Sequence, residues 1–190
     1  GRASGLTALA YADRLLRAGR ADAVIAGAFD ELTDRRLAVE AAAGRPAADA
    51  AEGCCVFLLE SARSARAAGR RPLAELLAHG GGVGADVGAV ARRVLRRAGT
   101  SPEAVRLAVG DLGDTPAPNA RVLDARAIVG DTAGAAAAFQ AAAALVTPGA
   151  GLTLLSALDP DGQVACALLR VGDGDPVPFS AAGTGIAATS

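Results

Sequence analysis

The chain has 190 residues, of which 52% are hydrophobic, and its formal net charge is −1. This apolar fraction is enough for a packed core, so we expect a globular protein of one ordinary domain or two small ones. The balanced charge provides no basic surface for nucleic acid or for an anionic membrane. All 19 basic residues are arginine, which excludes a Schiff-base lysine and the lysine of a P-loop.

The sequence shows neither a membrane span nor a secretory signal. The longest apolar runs, such as the one around Phe139, are rich in alanine and shorter than the ~20 residues that cross a bilayer. No N-terminal stretch combines basic residues, a hydrophobic block and a cleavage site. These patterns predict a cytoplasmic protein.

Helical and strand patterns alternate from the start of the chain. Apolar residues recur at helical spacing from Ser4 to Gly19, with Ser4 as the predicted N-cap and Gly19 as the terminating residue. The runs 23–29 and 54–60 are apolar without alternation, which predicts two strands buried on both faces. The segment 30–52 between them is predicted to be a short helix and a loop.

The alternation continues to residue 171. We predict a brief helix at 61–71, helices at 87–98 and 133–146, strands at 72–80, 105–109 and 122–129, and a hairpin of strands 151–157 and 164–171. The glycines that follow residue 79 predict a turn after the third strand. The segment 172–190, rich in Gly, Pro, Ala and Ser, is predicted to be a mobile tail. The pattern favours an α/β layered fold, with two layers of sheet fitting better than one.

The cysteines and the single histidine are the first candidates for chemistry. Cys54, Cys55 and Cys166 lie in predicted strands without the spacing of a metal site, so buried free thiols are favoured over a reactive thiol or a disulfide. His79 has no thiol or carboxylate companions at a suitable spacing for a metal site, so we expect a hydrogen-bonded structural residue. No metal or cofactor is predicted.

Two further patterns have an ordinary and a functional interpretation. Asp111, Asp114 and Asp131 could form a carboxylate cluster, but aspartate is common in turns and helix caps, which is the favoured interpretation. The sequence GGGVGA at 80–85 fits the weak GxGxxA form of a dinucleotide-binding loop, although no acidic partner follows on a second strand. A simple glycine turn is therefore favoured there.

Three short motifs occur in order along the chain. ASGL at 3–6 opens the first helix, AEGCCVFLLES at 51–61 covers the second strand, and GDTAGAAAAFQAAAAL at 130–145 covers the last long helix. They resemble the (A/S)SGL, GEGAxxxVLES and GHTxGAAG motifs of the thiolase-fold β-ketoacyl synthases, and the likeness runs over 1–171. The resemblance implies an α/β, thiolase-like layered αβαβα fold that is incomplete, because it lacks the strands upstream of the nucleophile helix.

The same resemblance implies a division of the chain. Residues 1–62 would be the remainder of the N-terminal thiolase-like half, with the nucleophile helix and two strands. Residues 63–171 would form the C-terminal thiolase-like half, and 172–190 would be the flexible tail.

At the family's catalytic positions the chain has other residues. The resemblance places Arg2 at the nucleophilic cysteine, Leu112 at the first histidine, Asp131 at the second and Arg126 near the lysine. Claisen condensation needs a thiolate to hold the acyl chain and two imidazoles to promote decarboxylation and stabilise the enolate. None of these residues can take those roles, so no catalytic residue is expected. The glycine-rich loop GFGG of the family is reduced to LDPDG at 158–162.

Structural roles are expected for the two charged replacements. Asp131 should cap the helix that begins near Thr132. Arg2, at a helix N-terminus, is unfavourable for the helix dipole, so it should either pair with an acidic residue or help shape the pocket. The sequence leaves both possibilities open.

Chain-length factors of type II polyketide synthases are relatives that also lack the nucleophile. The resemblance therefore implies a non-catalytic ketosynthase-like subunit of a type II polyketide or fatty-acid-type synthase, which helps shape the acyl-chain cavity. The implied partners are an active ketosynthase, a polypeptide that supplies the upstream half of the fold and, indirectly, an acyl carrier protein. Two alternatives stay open: a cryptic acyltransferase or hydrolase that acts on acyl thioesters through Asp131 or another residue, and a degenerate remnant without activity or partner.

Overall fold

A computed structural model of the chain describes residues 1–44, 47–111, 113, 116–172 and 184–188. In these residues the helices are α1 (Ser4–Arg17), α2 (Asp34–Ala42), α3 (Ala62–Ala67), α4 (Val87–Arg97), α5 (Arg126–Val129) and α6 (Ala136–Val146). The strands are β1 (Ala23–Asp30), β2 (Gly53–Ser61), β3 (Ala74–Val83), β4 (Leu107–Gly110), β5 (Arg121–Leu123), β6 (Leu152–Leu158), β7 (Gln163–Val171) and β8 (Thr184–Ala188). No helix in these ranges has the length and apolar character that a bilayer crossing requires.

The described strands form one sheet in the order β1-β2-β8-β3-β7-β6-β4-β5. β4 runs parallel to β5 and β6, and the other neighbouring pairs are antiparallel. The two predicted layers of sheet belong to one continuous sheet, because β8 pairs with both β2 and β3 and joins them. Part of the predicted tail is thus a strand, whereas residues 173–183 and 189–190 lie outside the described residues.

The sheet curves around α1 and α6. Helix α6 contacts β1 and β2 as well as β4 and β6, and α1 contacts β1 and β2 as well as β3 and β7. In a flat sheet β1 and β4 would be roughly 29 Å apart, at ~4.8 Å per strand, so one helix could not reach both. The two helices therefore lie between two arms of the sheet. The first arm is made of β1 and β2, and the second contains the neighbouring strands β3 and β7, whose outer face is covered by α4. This layering agrees with the predicted α/β fold.

The outer face of the first arm is exposed, contrary to the prediction that β1 and β2 are buried on both faces. Ile25 and Phe29 are 71% and 77% exposed, and Val56 is 41% exposed. β1 is the edge strand of the sheet, and no described element packs on the outer side of these residues. An apolar strand sequence alone cannot show whether a neighbour covers its second face.

Two local predictions also need correction. The glycines at 80–82 lie inside β3, paired with β7, and the turn comes at Gly84 with φ +64°. A Cβ at Gly81 would lie 2.8 Å from the carbonyl oxygen of Val164, so close backbone approach explains the glycine there and no dinucleotide loop forms. The segment 122–129 is only partly strand, because the Asp124 carboxylate accepts the N–H of Arg126 at 2.9 Å and starts helix α5.

Candidate functional site

A carboxylate from a distant turn caps the N-terminus of α1. The backbone N–H of Arg2 donates to one oxygen of Asp159, and the N–H of Ala3 lies 3.4 Å from the other. Asp159 belongs to the turn between β6 and β7 and is 5% exposed. N–H groups at a helix N-terminus can stabilise an oxyanion, but here they are already bound to Asp159. Ser4 is not the N-cap, since the N-cap is Ala3 and Ser4 is the first helical residue.

The Arg2 guanidinium forms an ion pair with the carboxylate of Asp131. The side chains of Arg2 and Asp131 are 21% and 15% exposed, so the pair is partly removed from water. The sequence left open whether Arg2 pairs with an acidic residue or helps shape the pocket, and the structure shows that it pairs with an acidic residue. The positions that the resemblance assigns to a nucleophile and to a histidine are occupied by two opposite charges that neutralise each other.

Asp131 also orders the chain at the start of the last long helix. Its Oδ1 accepts the N–H of Ala133 at 3.0 Å. This bond caps a single 3₁₀ turn, Ala133–Ala135, that leads into α6, so the predicted capping role is found one turn before the α-helix itself. Burial raises the pKa of Asp131, but the Ala133 N–H and the charges of Arg2 and Arg126 outweigh it, so its pKa lies below the ordinary value. Asp131 is therefore ionised at neutral pH and is unsuited to act as a general acid.

Arg126, at the position near the family's lysine, lies beside the same pair. Its Nη2 is 3.7 Å from Asp131 Oδ2 and 3.4 Å from Asp49 Oδ2. The side chain of Arg126 is 45% exposed. The Asp131 carboxylate is thus flanked by two guanidinium groups.

These charges line one cavity of about 230 Å³ at the N-terminal ends of α1 and α6. Its floor contains two buried polar atoms, Thr132 Oγ1 and Gln140 Oε1, that have no hydrogen-bond partner in the described part of the chain. Unpaired buried polar atoms are costly, so the cavity is suited to water or to a ligand with hydrogen-bonding groups. Its lining residues are Arg2, Gly110, Asp111, Asp124, Ala125, Arg126, Val129, Gly130, Asp131, Thr132, Ala136, Phe139 and Gln140.

Gly110 and Asp111, at the end of β4 and just after it, line the cavity. Leu112 and Asp114 lie outside the described residues, so their predicted positions stay predictions. Asp111 Oδ2 accepts the N–H of Leu158 at 2.8 Å, which ties the loop after β4 to the end of β6. Within the described ranges, no group of three or more His, Cys, Asp or Glu side chains could hold a metal ion.

Sequence reasoning missed Arg36 and Asp30, which support the site from α2 and β1. Arg36 donates to the carbonyl oxygens of Asp131 and Ala51, both at 2.8 Å, and lies 3.2 Å from Asp30 Oδ1. Asp30 Oδ2 accepts the N–H of Gly134 at 2.7 Å. Both residues hold the backbone around Asp131, and no local pattern could indicate contacts across such a sequence separation.

No cysteine lies at the cavity. Cys54 is exposed, which corrects the prediction that all three thiols are buried, and the uncovered outer face of β2 accounts for it. Burial, together with the neighbouring Cys54, raises the pKa of Cys55, and burial raises the pKa of Cys166 to about 12. These two thiols are therefore protonated at neutral pH and poor nucleophiles.

His79 is hydrogen-bonded, as predicted, and lies away from the cavity. Its Nε2 is 3.1 Å from Oδ2 of Asp13, an α1 carboxylate that is 2% exposed. Asp13 also accepts from Arg17 Nε at 2.8 and 2.9 Å and from Thr184 Oγ1 at 2.5 Å. This network joins α1, β3 and β8.

Replacing Asp131 with alanine should lower the free energy of unfolding by about 1 kcal/mol, because the Ala133 N–H loses its acceptor. Urea unfolding would measure the change on the soluble form of the chain, alone or co-expressed with a partner. Asp22→Ala, at an exposed aspartate, is the control and should change little. Unchanged stability together with loss of an activity would instead favour a chemical role for Asp131.

Solved structures of ketosynthases have a similar fold. The chain is 34% identical to the ishigamide ketosynthase/chain length factor, with TM-score 0.69, covering 90% of this chain and 55% of that one. A type II PKS acyl-carrier protein in complex with its ketosynthase bound to the hexaketide gives 19% identity and TM-score 0.78, covering 90% of this chain and 61% of that one. A β-ketoacyl synthase from Burkholderia phymatum gives 18% identity and TM-score 0.75, covering 90% and 60%.

The two structures with lower identity show a shared fold alone. The chain spans 55% to 61% of the length of these three relatives. No protein-family model and no curated protein matches the chain.

Proposed function

Because the chain is a thiolase-fold, ketosynthase-like protein that spans part of that fold, we propose that it is a non-catalytic subunit of the chain-length-factor type. It pairs with an active ketosynthase in a type II polyketide or fatty-acid-type synthase and helps shape the cavity for the acyl chain. The observation that carries the proposal is the Arg2–Asp131 ion pair, which lies where the resemblance places the nucleophile and one histidine.

The chemistry of the cavity supports a non-catalytic role. A guanidinium has no nucleophilic lone pair at physiological pH, so Arg2 cannot accept an acyl group. An ionised Asp131 places negative charge where condensation would develop more of it. Asp159 binds the N–H groups of Arg2 and Ala3 that could otherwise stabilise an oxyanion.

The exposed first arm supports a role in assembly. Ile25, Phe29 and Val56 form an apolar surface, and no described strand pairs with the outer edge of β1. An uncovered strand edge exposes unpaired N–H and C=O groups and favours pairing with another strand. In this proposal a polypeptide that supplies the upstream half of the fold pairs with β1, and the joined unit associates with the ketosynthase. A carrier protein would then contact the complex through the ketosynthase.

The purified chain should not become acylated by acyl thioesters, nor decarboxylate malonyl thioesters above background, and Arg2→Cys should behave in the same way. The new thiol would lie beside the Asp131 carboxylate, which keeps only Arg126 as a cationic neighbour, and at a helix N-terminus already bound to Asp159. Neither imidazole would be present, and the effects of residues in a catalytic unit are strongly non-additive. Mass spectrometry of the intact protein after incubation with an acyl carrier substrate measures acylation. Condensation by the unmodified chain would favour the cryptic acyltransferase instead.

Co-expression tests the assembly. The chain expressed alone should aggregate or elute as ill-defined oligomers, whereas co-expression with the polypeptide that carries the upstream strands should give a soluble complex that binds a ketosynthase. Size-exclusion chromatography with light scattering measures the masses. The variant Phe29→Glu puts a charge on the exposed surface of β1 and should weaken the complex. A cooperatively melting monomer of the isolated chain would contradict the need for a covering strand.

A further inference from the structure

Part of the β3 edge that faces away from β7 is unpaired. β8 pairs with that edge at 74–76 and begins there, at Thr184. β7 pairs with the other edge as far as Val83, the last residue of β3, but no described strand lies beside 79–83 on the β8 side. Gly81 and Val83 are exposed, so solvent reaches this stretch. We call the β8 side of residues 79–83 the open edge.

The backbone groups of His79, Gly81 and Val83 point out from the open edge. Residues of an antiparallel pair alternate, since one exchanges both of its hydrogen bonds with the partner strand and the next faces away. The N–H of Gly84 donates to the carbonyl oxygen of Gly162 at 2.9 Å, so the even-numbered residues here bond to β7 and the odd-numbered residues face away. The three outward N–H groups have no acceptor among the described residues.

Two of the outward carbonyl groups, by contrast, are occupied. Arg93 and Arg97 of α4 donate to the carbonyl oxygens of Gly81 and His79, at 2.8 and 3.1 Å. The open edge therefore presents mainly hydrogen-bond donors, and a ligand that binds there has to supply acceptors.

The surroundings of the open edge are positively charged. Arg93 and Arg97 lie on its α4 side, and on its α1 side Arg14 lines a cavity of about 280 Å³ together with residues 79–83. None of these three arginines pairs with an acidic residue in the part of the chain that the structure describes.

Two acidic residues near the open edge already have partners. Asp13, which bonds to the His79 ring, also accepts from Arg17 at 2.8 Å. Asp86, just beyond β3, accepts the Ala89 N–H at 2.7 Å and lies 3.4 Å from Arg92. The positive charge around the open edge is therefore not neutralised by these carboxylates.

We propose that the open edge binds an extended acidic segment of a partner protein, which adds a strand to β3. Carbonyl oxygens of this segment accept the outward N–H groups, and its carboxylates pair with Arg93 and Arg97 on one face and with Arg14 on the other. Charge complementarity selects an acidic segment over a neutral or basic one. This surface lies on the second arm of the sheet, so it is separate from the β1 edge that the proposed function assigns to the upstream polypeptide.

A capped seven-residue peptide of alternating glutamate and valine tests the proposal. It is titrated into the ¹⁵N-labelled soluble form of the chain, alone or with unlabelled partner. The peptide should bind saturably and slow the hydrogen exchange of the Gly81 and Val83 amides. The same peptide with glutamine in place of glutamate should bind about tenfold more weakly, because it loses its charge-assisted hydrogen bonds.

Two pairs of variants separate strand pairing from simple attraction of charges. Val83→Pro removes an outward N–H without removing a bond to β7, and it should weaken binding about fivefold relative to Val83→Ala, which keeps the N–H. Arg93→Gln should weaken binding about tenfold. Arg96→Gln, at an exposed position of the same helix, is the matched control and should bind like the wild type. Melting temperatures check that each variant folds.

Three results would overturn the proposal. The first is equal binding of the glutamate and glutamine peptides, and the second is equal binding by Val83→Pro and Val83→Ala. The third is slow exchange of the Gly81 and Val83 amides before any peptide is added, because the edge would then already be covered, by this chain or by a second copy.

Discussion

Asp13→Ala should lower the free energy of unfolding by about 3 kcal/mol, because two buried or partly buried donors lose their acceptor. Thr184 is 1% exposed, so its hydroxyl would have no water to replace the carboxylate. His79 would lose its bond to α1 as well. Arg17, whose side chain is 40% exposed, would be resolvated and adds little to the loss. Urea unfolding at neutral pH measures the change.

The contribution of Asp13 should also depend on pH. Its folded-state pKa lies below the ordinary value of 3.8, so the unfolded chain binds the proton more readily than the folded chain. The stabilisation is fully present above the unfolded-state pKa and is lost as the pH falls through the folded-state pKa. The stability difference between the wild type and Asp13→Asn should therefore shrink in acid, while Asp22→Asn, at an exposed position, should show no such trend. A difference that stays constant down to low pH would contradict the network.

Gly5→Ala should lower the free energy of unfolding by about 3 kcal/mol, the upper end of the usual cost of overpacking. A Cβ at Gly5 would lie 2.5 Å from the backbone nitrogen of Ala138, and backbone atoms of α6 cannot move aside as a side chain could. The sign of this change in the free energy of unfolding is informative, because replacing glycine with alanine normally stabilises a helix interior by up to about 1 kcal/mol. Urea unfolding is again the measurement.

Thr7→Ala is the control for Gly5→Ala. Thr7 is exposed on the same helix, so its replacement should change stability by less than about 0.5 kcal/mol. If Gly5→Ala were as stable as the wild type, α1 and α6 could not approach as closely as the structure has them. The shift of α1 should also separate Arg2 from Asp131, which would enlarge the cavity between them.

The element pattern was predictable because helical and strand periodicities are local. Gly19 ends α1 as expected, with φ +64° and the N–H of Arg20 bonded to the carbonyl of Leu15 at 2.9 Å. The hairpin β6–β7 was recognisable from its turn residues and two apolar runs. Strand β8 was not recognisable, since a short segment of Thr, Gly, Ile and Ala has no periodicity and becomes a strand only between β2 and β3.

The candidate site was predictable where motifs resembled the family and unpredictable where contacts are distant. The retained motif residues Ala3, Gly5 and Leu6 are buried, and Gly5 lies where α1 contacts α6. These three residues therefore serve packing. The departures at Arg2 and Asp131 line the cavity. That Asp159 caps α1 could not be inferred, because a turn aspartate shows no sign of the distant helix that it reaches.

The position of β8 has a consequence for biosynthesis. Gly185 pairs with Glu60 of β2 and with Glu75 of β3, so the two arms of the sheet cannot be joined until the ribosome has added the residues of β8, more than 100 positions after β3 begins. Until then β2 and β3 each have an unpaired edge where β8 will lie. Contacts between residues so far apart in the sequence form slowly. Nascent chains with open edges are prone to associate with one another. We expect this protein to depend on chaperones during translation, and truncation before residue 184 to leave it aggregated even when it is co-expressed with the polypeptide that covers β1.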